Sequence, residues 1–363
     1  MSSHSDVLPR RAWFQLALTS AFAAPALAAT VRLPKKVRLS IIGQDGHLAD
    51  ILRPLPQLPD VAVVGYSEAT PAALASLAGN KALGAAKGFL DYQKMLDETK
   101  PDIVGVVNDD GARAAAILEV VQRGIHCIAE KPLAITRESL HKVKAAVSQS
   151  KVRFSMLTPL RFAPPFLAVK QIVDSGEIGE VLHLGGQKSY KRGANSAWKN
   201  RRASYGSTML WIGPHLIDLF HFSGSRKMTD AFCWQANVQD PSLGDRENVV
   251  GAIFRLDNGG IAEMRMDYLR PDNSPTHEDD RLRVAGTKGI VEFTAATGVT
   301  IMSNSAPPRK LESLPPRQEI FIDFLDSVYN NKKPALTVEE IFHVSDVIQA
   351  AEDSSRLNRV VKV

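Results

Sequence analysis

The sequence predicts an α/β protein: a parallel, doubly wound domain followed by an α+β domain built on one large, open, mostly antiparallel sheet. Three observations carry this. Strand-like and helix-like segments alternate as far as residue 157, the rhythm of βαβ units with right-handed crossovers. Beyond that point strand-like runs follow one another, with Asp257-Asn258-Gly259-Gly260 and Gly286-Thr287-Lys288-Gly289 as hairpin turns. Finally, the apolar run Ile125-His126-Cys127-Ile128-Ala129 ends in Glu130-Lys131-Pro132. A charged pair at the carboxyl end of a buried strand lies where open α/β sheets place their ligand crevice, and Pro132 halts the strand.

In order, the first domain has strands over residues 37–42, 61–66, 102–107, 125–129 and 152–157. Each is a short apolar run between turn residues, as expected of strands buried on both faces. Helical segments are expected over 71–78, 89–98, 111–123 and 139–148, with a short one ending near Pro54. In the second domain a helix over 164–175 ends at Gly176, and another spans 209–222. Strands are expected over 231–238, 248–256, 260–268, 281–285 and 290–294, and helices over 319–329 and 338–357 close the chain. The boundaries that follow are 36–157 and 158–363.

Residues 1–29 are set apart from the fold. Arg10-Arg11 precede Trp13-Phe14 and an apolar run from Leu16 to Leu27, and Ala26-Leu27-Ala28 has the small residues at which signal peptidases cut. The apolar run is too short to span a bilayer comfortably. The pair of arginines reads as a twin-arginine export signal, which predicts a periplasmic or secreted protein. The alternatives are a Sec-type signal or, if it is not cleaved, an N-terminal anchor.

Hydrophobic residues make up 44% and charged residues 23%, so the composition is that of an ordinary globular protein. The net charge of +5 is spread along the chain without a basic block, which argues against a nucleic-acid partner. The two cysteines, Cys127 and Cys233, lack zinc-ligand spacing, and Cys127 reads as a buried thiol.

The candidate site residues come from the turns. The first is Gly43-Gln44-Asp45-Gly46-His47-Leu48, a dinucleotide-type turn with Asp45 and Leu48 where small residues let backbone and phosphate approach. Glu68 lies 22 residues after Gly46, at a strand end. It is either a solvated acid or the acceptor of two ribose hydroxyls. Asn108-Asp109-Asp110-Gly111 supplies either a helix N-cap or further acceptors for a ligand. Trp211, His215 and Asp218 share one helix face. Such a histidine is either structural or a base tuned by the acid.

Together the Gly-x-x-Gly turn, Glu68, Glu130-Lys131-Pro132, Gly176-Glu177-Ile178-Gly179-Glu180-Val181 and His215-x-x-Asp218 resemble the glucose-fructose oxidoreductase / inositol dehydrogenase (Gfo/Idh/MocA) family from residue 37 onward. The resemblance implies a Rossmann domain holding NAD(P) through Gly43, Asp45, Gly46, His47, Glu68, Asn108, Asp109, Glu130 and Lys131. It implies NAD-linked oxidation of a sugar or polyol, with the hydroxyl between Lys131 and His215. Asp218 would orient His215, Trp211 would offer a stacking surface to the sugar, and Glu68 would favour NAD over its 2′-phosphorylated form. A homo-oligomer is implied as well. The chain departs from the family in Asp45, Leu48, Trp211 and the run from Asn108 to Arg113, where Thr-Pro-x-x-x-x-His is common. These departures keep two other readings open. One is a lyase, epimerase or hydrolase in which NAD is oxidised and restored; the other is a sugar-binding relative without dinucleotide.

Overall fold

The computed structural model describes residues 30–193 and 197–363; the expected export signal lies outside the described residues. Strands β1 (Val37–Ile42), β2 (Val61–Ser67), β3 (Lys87–Phe89), β4 (Ile103–Val106), β5 (His126–Glu130) and β6 (Phe154–Leu157) form a parallel sheet in the order β3-β2-β1-β4-β5-β6. Strand order reverses between β1 and β4, so a crevice opens there at the carboxyl ends. The intervening helices are α1 (Leu48–Leu52), α2 (Pro71–Ala78), α3 (Tyr92–Thr99), α4 (Asp110–Gln122) and α5 (Arg137–Gln149). Their starts are set by side chains that satisfy orphan N–H groups: Thr70, Asp91, Asp109 and Thr136 each accept from the first turn.

After α6 (Pro164–Asp174) comes β7 (Val181–Lys191), an eleven-residue strand at the heart of the second sheet. The short α7 (Arg202–Tyr205) and the long α8 (Thr208–Gly224) follow. Strands β8 (Met228–Ala236), β9 (Val249–Leu256), β10 (Ile261–Arg270), β11 (Glu278–Gly286), β12 (Gly289–Thr294), β13 (Gly298–Ser303) and β14 (Ala306–Lys310) complete most of the sheet. Helices α9 (Ile320–Tyr329) and α10 (Val338–Leu357) precede a final edge strand, β15 (Val361–Lys362). The order is β14-β13-β12-β11-β7-β10-β9-β8-β15. Only β7 and β10 run parallel; the other neighbours are antiparallel. Buried and exposed residues alternate along β9, the mark of a sheet with one face covered and one open.

Helix α8 covers the inner face and carries the site histidine. It lies unusually close to β7 because a Cβ at Gly186 would come within 2.9 Å of Leu216 and 2.8 Å of Phe220. The glycine that lets the helix approach is also one reason β7 is hard to read from sequence. Leu184-Gly185-Gly186-Gln187 interrupts the alternation of apolar and polar residues.

One boundary differs from expectation. Both sheets respect the division near residue 157, but α9 does not belong with the second. Phe321, Phe324 and Leu325 pack in one buried cluster with Leu39, Ile41 and Ile51 of β1 and α1. The helix therefore returns to seal the first domain. Cys127 and Cys233 are both buried free thiols. Among the described residues, no helix is long and apolar enough to cross a membrane.

Phe321→Ala is expected to destabilise the protein by about 3–5 kcal/mol, as for other fully buried phenylalanines. Urea unfolding followed by far-UV circular dichroism measures it, and a loss under about 1 kcal/mol would detach α9 from the first core.

Candidate active site

Glu130 and Lys131 are both almost fully buried at the end of β5, and the Lys131–Pro132 peptide is cis. The Lys131 ammonium donates to the Trp211 carbonyl on α8 at 2.7 Å, lies 3.3 Å from Glu130 Oε1 and sits 3.5 Å from the centre of the Trp211 ring. Burial pulls its pKa down to about 8, with Glu130 and Asp110 opposing the change. Water withdrawn from the ammonium outweighs the nearby carboxylates.

The first turn reaches the same place. Gly46 has φ of +62°, and a Cβ there would lie 2.5 Å from the Glu130 carboxyl carbon, so only glycine lets the chain pass. His47 then donates its backbone N–H to Glu130 Oε2 at 3.0 Å, and its Nδ1 lies 2.9 and 3.0 Å from the two carboxylate oxygens. Burial alone would raise the Glu130 pKa, but His47 and Lys131 hold it well below the usual carboxylate range. The His47 ring meets His215 edge to face, centroids 4.9 Å apart. Burial, then Lys131 and His47, press the His215 pKa well below its ordinary value, so the imidazole is neutral at pH 7. Its Nδ1 is buried without a protein hydrogen-bond partner.

Gly46, His47, Lys131, Trp211 and His215 line a cavity of about 410 Å³ together with Lys191, Lys199, Arg246, Tyr268 and Glu278, among others. A larger cavity, about 690 Å³, opens at the switch point and is lined by Gly43, Asp45, Glu68, Asn108, Asp109 and Trp198, among others. The same turn walls both: residues 43–45 face one and residues 46–47 the other. Glu68 is half-buried there, and desolvation raises its pKa. Burial likewise raises that of Asp45, opposed mainly by Lys199, while Trp198 Nε1 donates to its carboxylate at 3.3 Å.

One of the expected contacts turns out differently, and one of the two expected roles of the 108–111 turn is realised. Asp218 does not touch His215. It is fully buried and takes two hydrogen bonds from Arg161, at 3.0 and 2.6 Å, and Arg161 also donates to the Ala335 carbonyl. A buried arginine demands a carboxylate partner, and Asp218 is used for that. Asp109 is the N-cap of α4, accepting from Ala112 N at 3.1 Å, although it borders the larger cavity. Trp211 lines the smaller cavity. Its ring already carries two ammonium groups, those of Lys131 and Lys199, at 3.5 and 4.7 Å.

Arg113 escaped the sequence reading. It is fully buried and donates to Asp110 at 2.7 Å, to the carbonyls of Lys131 and Pro132 at 3.0 Å each, and to the Asn108 carbonyl. An arginine one turn after an aspartate was the available signal, and it equally describes an exposed helix pair. The ring–carboxylate contact of His47 was hidden for a simpler reason: 83 residues separate the partners.

A family model described as an oxidoreductase family with an NAD-binding Rossmann fold matches residues 37–158. A second, for the GFO/IDH/MocA C-terminal domain, matches residues 166–292. The uncharacterized oxidoreductase YrbE of Bacillus subtilis is 24% identical over 221 residues, 60% of this chain and 62% of that protein. The scyllo-inositol 2-dehydrogenase (NADP(+)) IolW of the same organism is 22% identical over 305 residues, 75% of this chain and 81% of that protein. Levoglucosan dehydrogenase, solved with NADH and levoglucosan, shares the fold with a TM-score of 0.78 at 17% identity, covering 92% of this chain and 99% of that one. Since the two models between them cover the parallel sheet and most of the second domain's sheet, the chain belongs to the GFO/IDH/MocA family, with an NAD-binding Rossmann domain at its amino-terminal end.

Proposed function

We propose that the chain is an NAD-dependent dehydrogenase acting on a hydroxyl of a sugar or polyol. The observation that carries this reading is the meeting of Lys131 and His215 on one cavity, beside the larger cavity at the switch point. The printed activities of IolW and levoglucosan dehydrogenase support the substrate class.

The larger cavity fits a dinucleotide. Glu68 follows the last residue of β2 and lines the cavity, suited to two ribose hydroxyls and repelling a 2′-phosphate. Asn108 Oδ1 on the same wall is buried without a protein partner. Gly43, at φ of +88°, brings the turn against the start of the loop after β4. When bound, the nicotinamide supplies the two-electron partner of a carbinol carbon. Lys131 in its neutral form takes the hydroxyl proton, and its lowered pKa makes that form accessible near neutrality. His215, whose pKa burial presses well below its ordinary value, holds the same hydroxyl by hydrogen bonding. His47 fixes the Glu130 carboxylate, which in turn faces the Lys131 ammonium at 3.3 Å. Arg113 holds the two carbonyls, of Lys131 and Pro132, that follow the residue bearing that ammonium.

Export belongs to the same reading, supported by Arg10-Arg11 and Ala26-Leu27-Ala28. So does self-association through the open sheet face, supported by exposed Trp234 and Ile253 on adjacent strands.

Lys131→Ala and His215→Ala are each expected to lower turnover by about two to four orders of magnitude. Because oxidation needs the neutral amine, its rate should rise with pH and level off above about 8. Lys131→Arg cannot lose its proton at these pH values and should abolish the inflection. A flat wild-type profile from about pH 6 to 9 would remove Lys131 from the proton-transfer role.

Asp45→Asn keeps the acceptor for Trp198 but removes a charge beside the phosphate position. Two charges about 4 Å apart at an effective dielectric near 20 repel by roughly 4 kcal/mol. Lys199 and salt reduce this, and a third of it is about tenfold in affinity. Calorimetry should therefore show NAD binding the variant about tenfold more tightly. Absence of binding to either protein would sink the dinucleotide reading. For export, changing Arg10 and Arg11 together to lysine should leave unprocessed precursor in the cytoplasm; normal processing would exclude the twin-arginine route.

A further inference from the structure

The two ends of the parallel sheet differ in kind. The carboxyl ends of its strands border the larger cavity, whereas exposed cations crowd the amino ends. Lys35 and Lys36 lie just before β1, Lys100 just before β4, and Lys151 and Arg153 just before β6. Neighbouring strands are about 4.8 Å apart, so these residues share one end of a narrow sheet. The turn after α9 joins them. Arg153 donates to Asn331 Oδ1 at 3.4 Å, and the Lys35 ammonium lies 5.6 Å from the centre of the Tyr329 ring. Lys332 and Lys333 follow directly, both exposed. The fold thus gathers at one place positive charge that the sequence scatters.

The carboxylates at this end are already taken. Asp60 is shared by Arg32 at 3.6 Å and Lys36 at 2.7 Å. Asp102 takes Lys35 at 2.6 Å, and Asp326 takes Lys332 at 2.6 Å. Lys100, Lys151, Arg153 and Lys333 are exposed and form no ion pair among the described residues.

The chain enters the fold at the same end. Val31 donates to the Gln57 carbonyl at 2.8 Å and Leu33 to the Asp60 carboxylate at 3.2 Å, both just ahead of β2. Only Ala28, Ala29 and Thr30 separate Val31 from the apolar run Leu16 to Leu27, a reach of at most about 15 Å. That run is too short to span a bilayer comfortably. A weak apolar anchor holds a protein on a membrane only when a second attachment adds to it, and a group of cations facing anionic headgroups is one.

We infer that the amino end of the parallel sheet is a docking face for an anionic lipid surface. Lys100, Lys151, Arg153 and Lys333 meet the headgroups, and the apolar run inserts beside them. Docked in this way, the molecule turns the crevice at the carboxyl ends of the strands away from the lipid, open to small molecules. The inference concerns the chain that keeps residues 1–29 and stands apart from the dehydrogenase reading.

The test is co-sedimentation of the full chain with vesicles of phosphatidylcholine alone and with phosphatidylglycerol added. Phosphatidylglycerol should tighten binding about tenfold or more at low salt, and the margin should shrink as salt is raised. Changing Lys100→Gln, Lys151→Gln and Lys333→Gln together should remove most of that margin. Binding to phosphatidylcholine and the melting temperature should stay as they were, since all three side chains are exposed. Lys142→Gln, Lys288→Gln and Lys310→Gln together remove the same charge elsewhere on the surface and should keep the margin. Equal loss in the two triple variants would mean that net charge alone acts, and would overturn the inference. So would a parent chain indifferent to phosphatidylglycerol, or a first variant that binds as the parent does. A DNA duplex held as tightly as the anionic vesicles would make the face a general polyanion site and overturn the lipid assignment.

Discussion

The Arg113 guanidinium is the interaction on which the site depends. It is wholly buried between the ends of β4 and β5, where it holds the carbonyls of Asn108, Lys131 and Pro132 and the Asp110 carboxylate. A buried charge is tolerable only when such hydrogen bonds replace its water. Here the replacements are mostly backbone carbonyls on two different loops, so satisfying the charge fixes the relative position of those loops. Lys131 is held at its carbonyl by Arg113 and at its ammonium by the Trp211 carbonyl on α8. One side chain thereby links the first domain to the helix of the second.

Charge is arranged in layers around that link. Glu130 is kept ionised by His47 and Lys131, Lys131 is brought toward neutrality by burial, and His215 is made neutral outright. Burial is the main cause of the lowered His215 pKa, and Lys131 and His47 add to it. A protonatable amine beside a ring whose pKa is pressed well down is an asymmetric pair, and in the proposed reaction that asymmetry separates proton removal from hydrogen bonding in a shared cavity.

Much of this was legible in the sequence where a residue's neighbours in the chain determine its environment. The five expected strands of the first domain, the helix bearing His215 and the closing helix α10 follow from apolar period and turn residues. The cleft position of Glu68, Lys131 and His215 follows from strand ends and one helix face. What was not legible depends on partners remote in sequence. Asp218 shares a face with His215 by spacing, but its environment is set by Arg161, 57 residues earlier. Arg113 is an ordinary helix residue until the fold places it under β5. The short β3 and the central β7 lack the length or alternation that marks a strand, and the face on which α9 packs is decided by β1, nearly 280 residues before it.

The return of α9 to the first domain also bears on the order in which the molecule can assemble. Domains of a growing chain commonly fold as units, amino-terminal first, during synthesis. Here the cluster beneath β1 contains Phe321, Phe324 and Leu325, so the nucleotide-side core stays open while all of the second sheet except its edge strand β15 is being synthesised. Only when the chain has passed residue 325 can the first core close, and the second still waits for α10. The nascent chain thus has no early stopping point at which half of the protein is finished, and whatever loads the first domain must meet a nearly complete polypeptide.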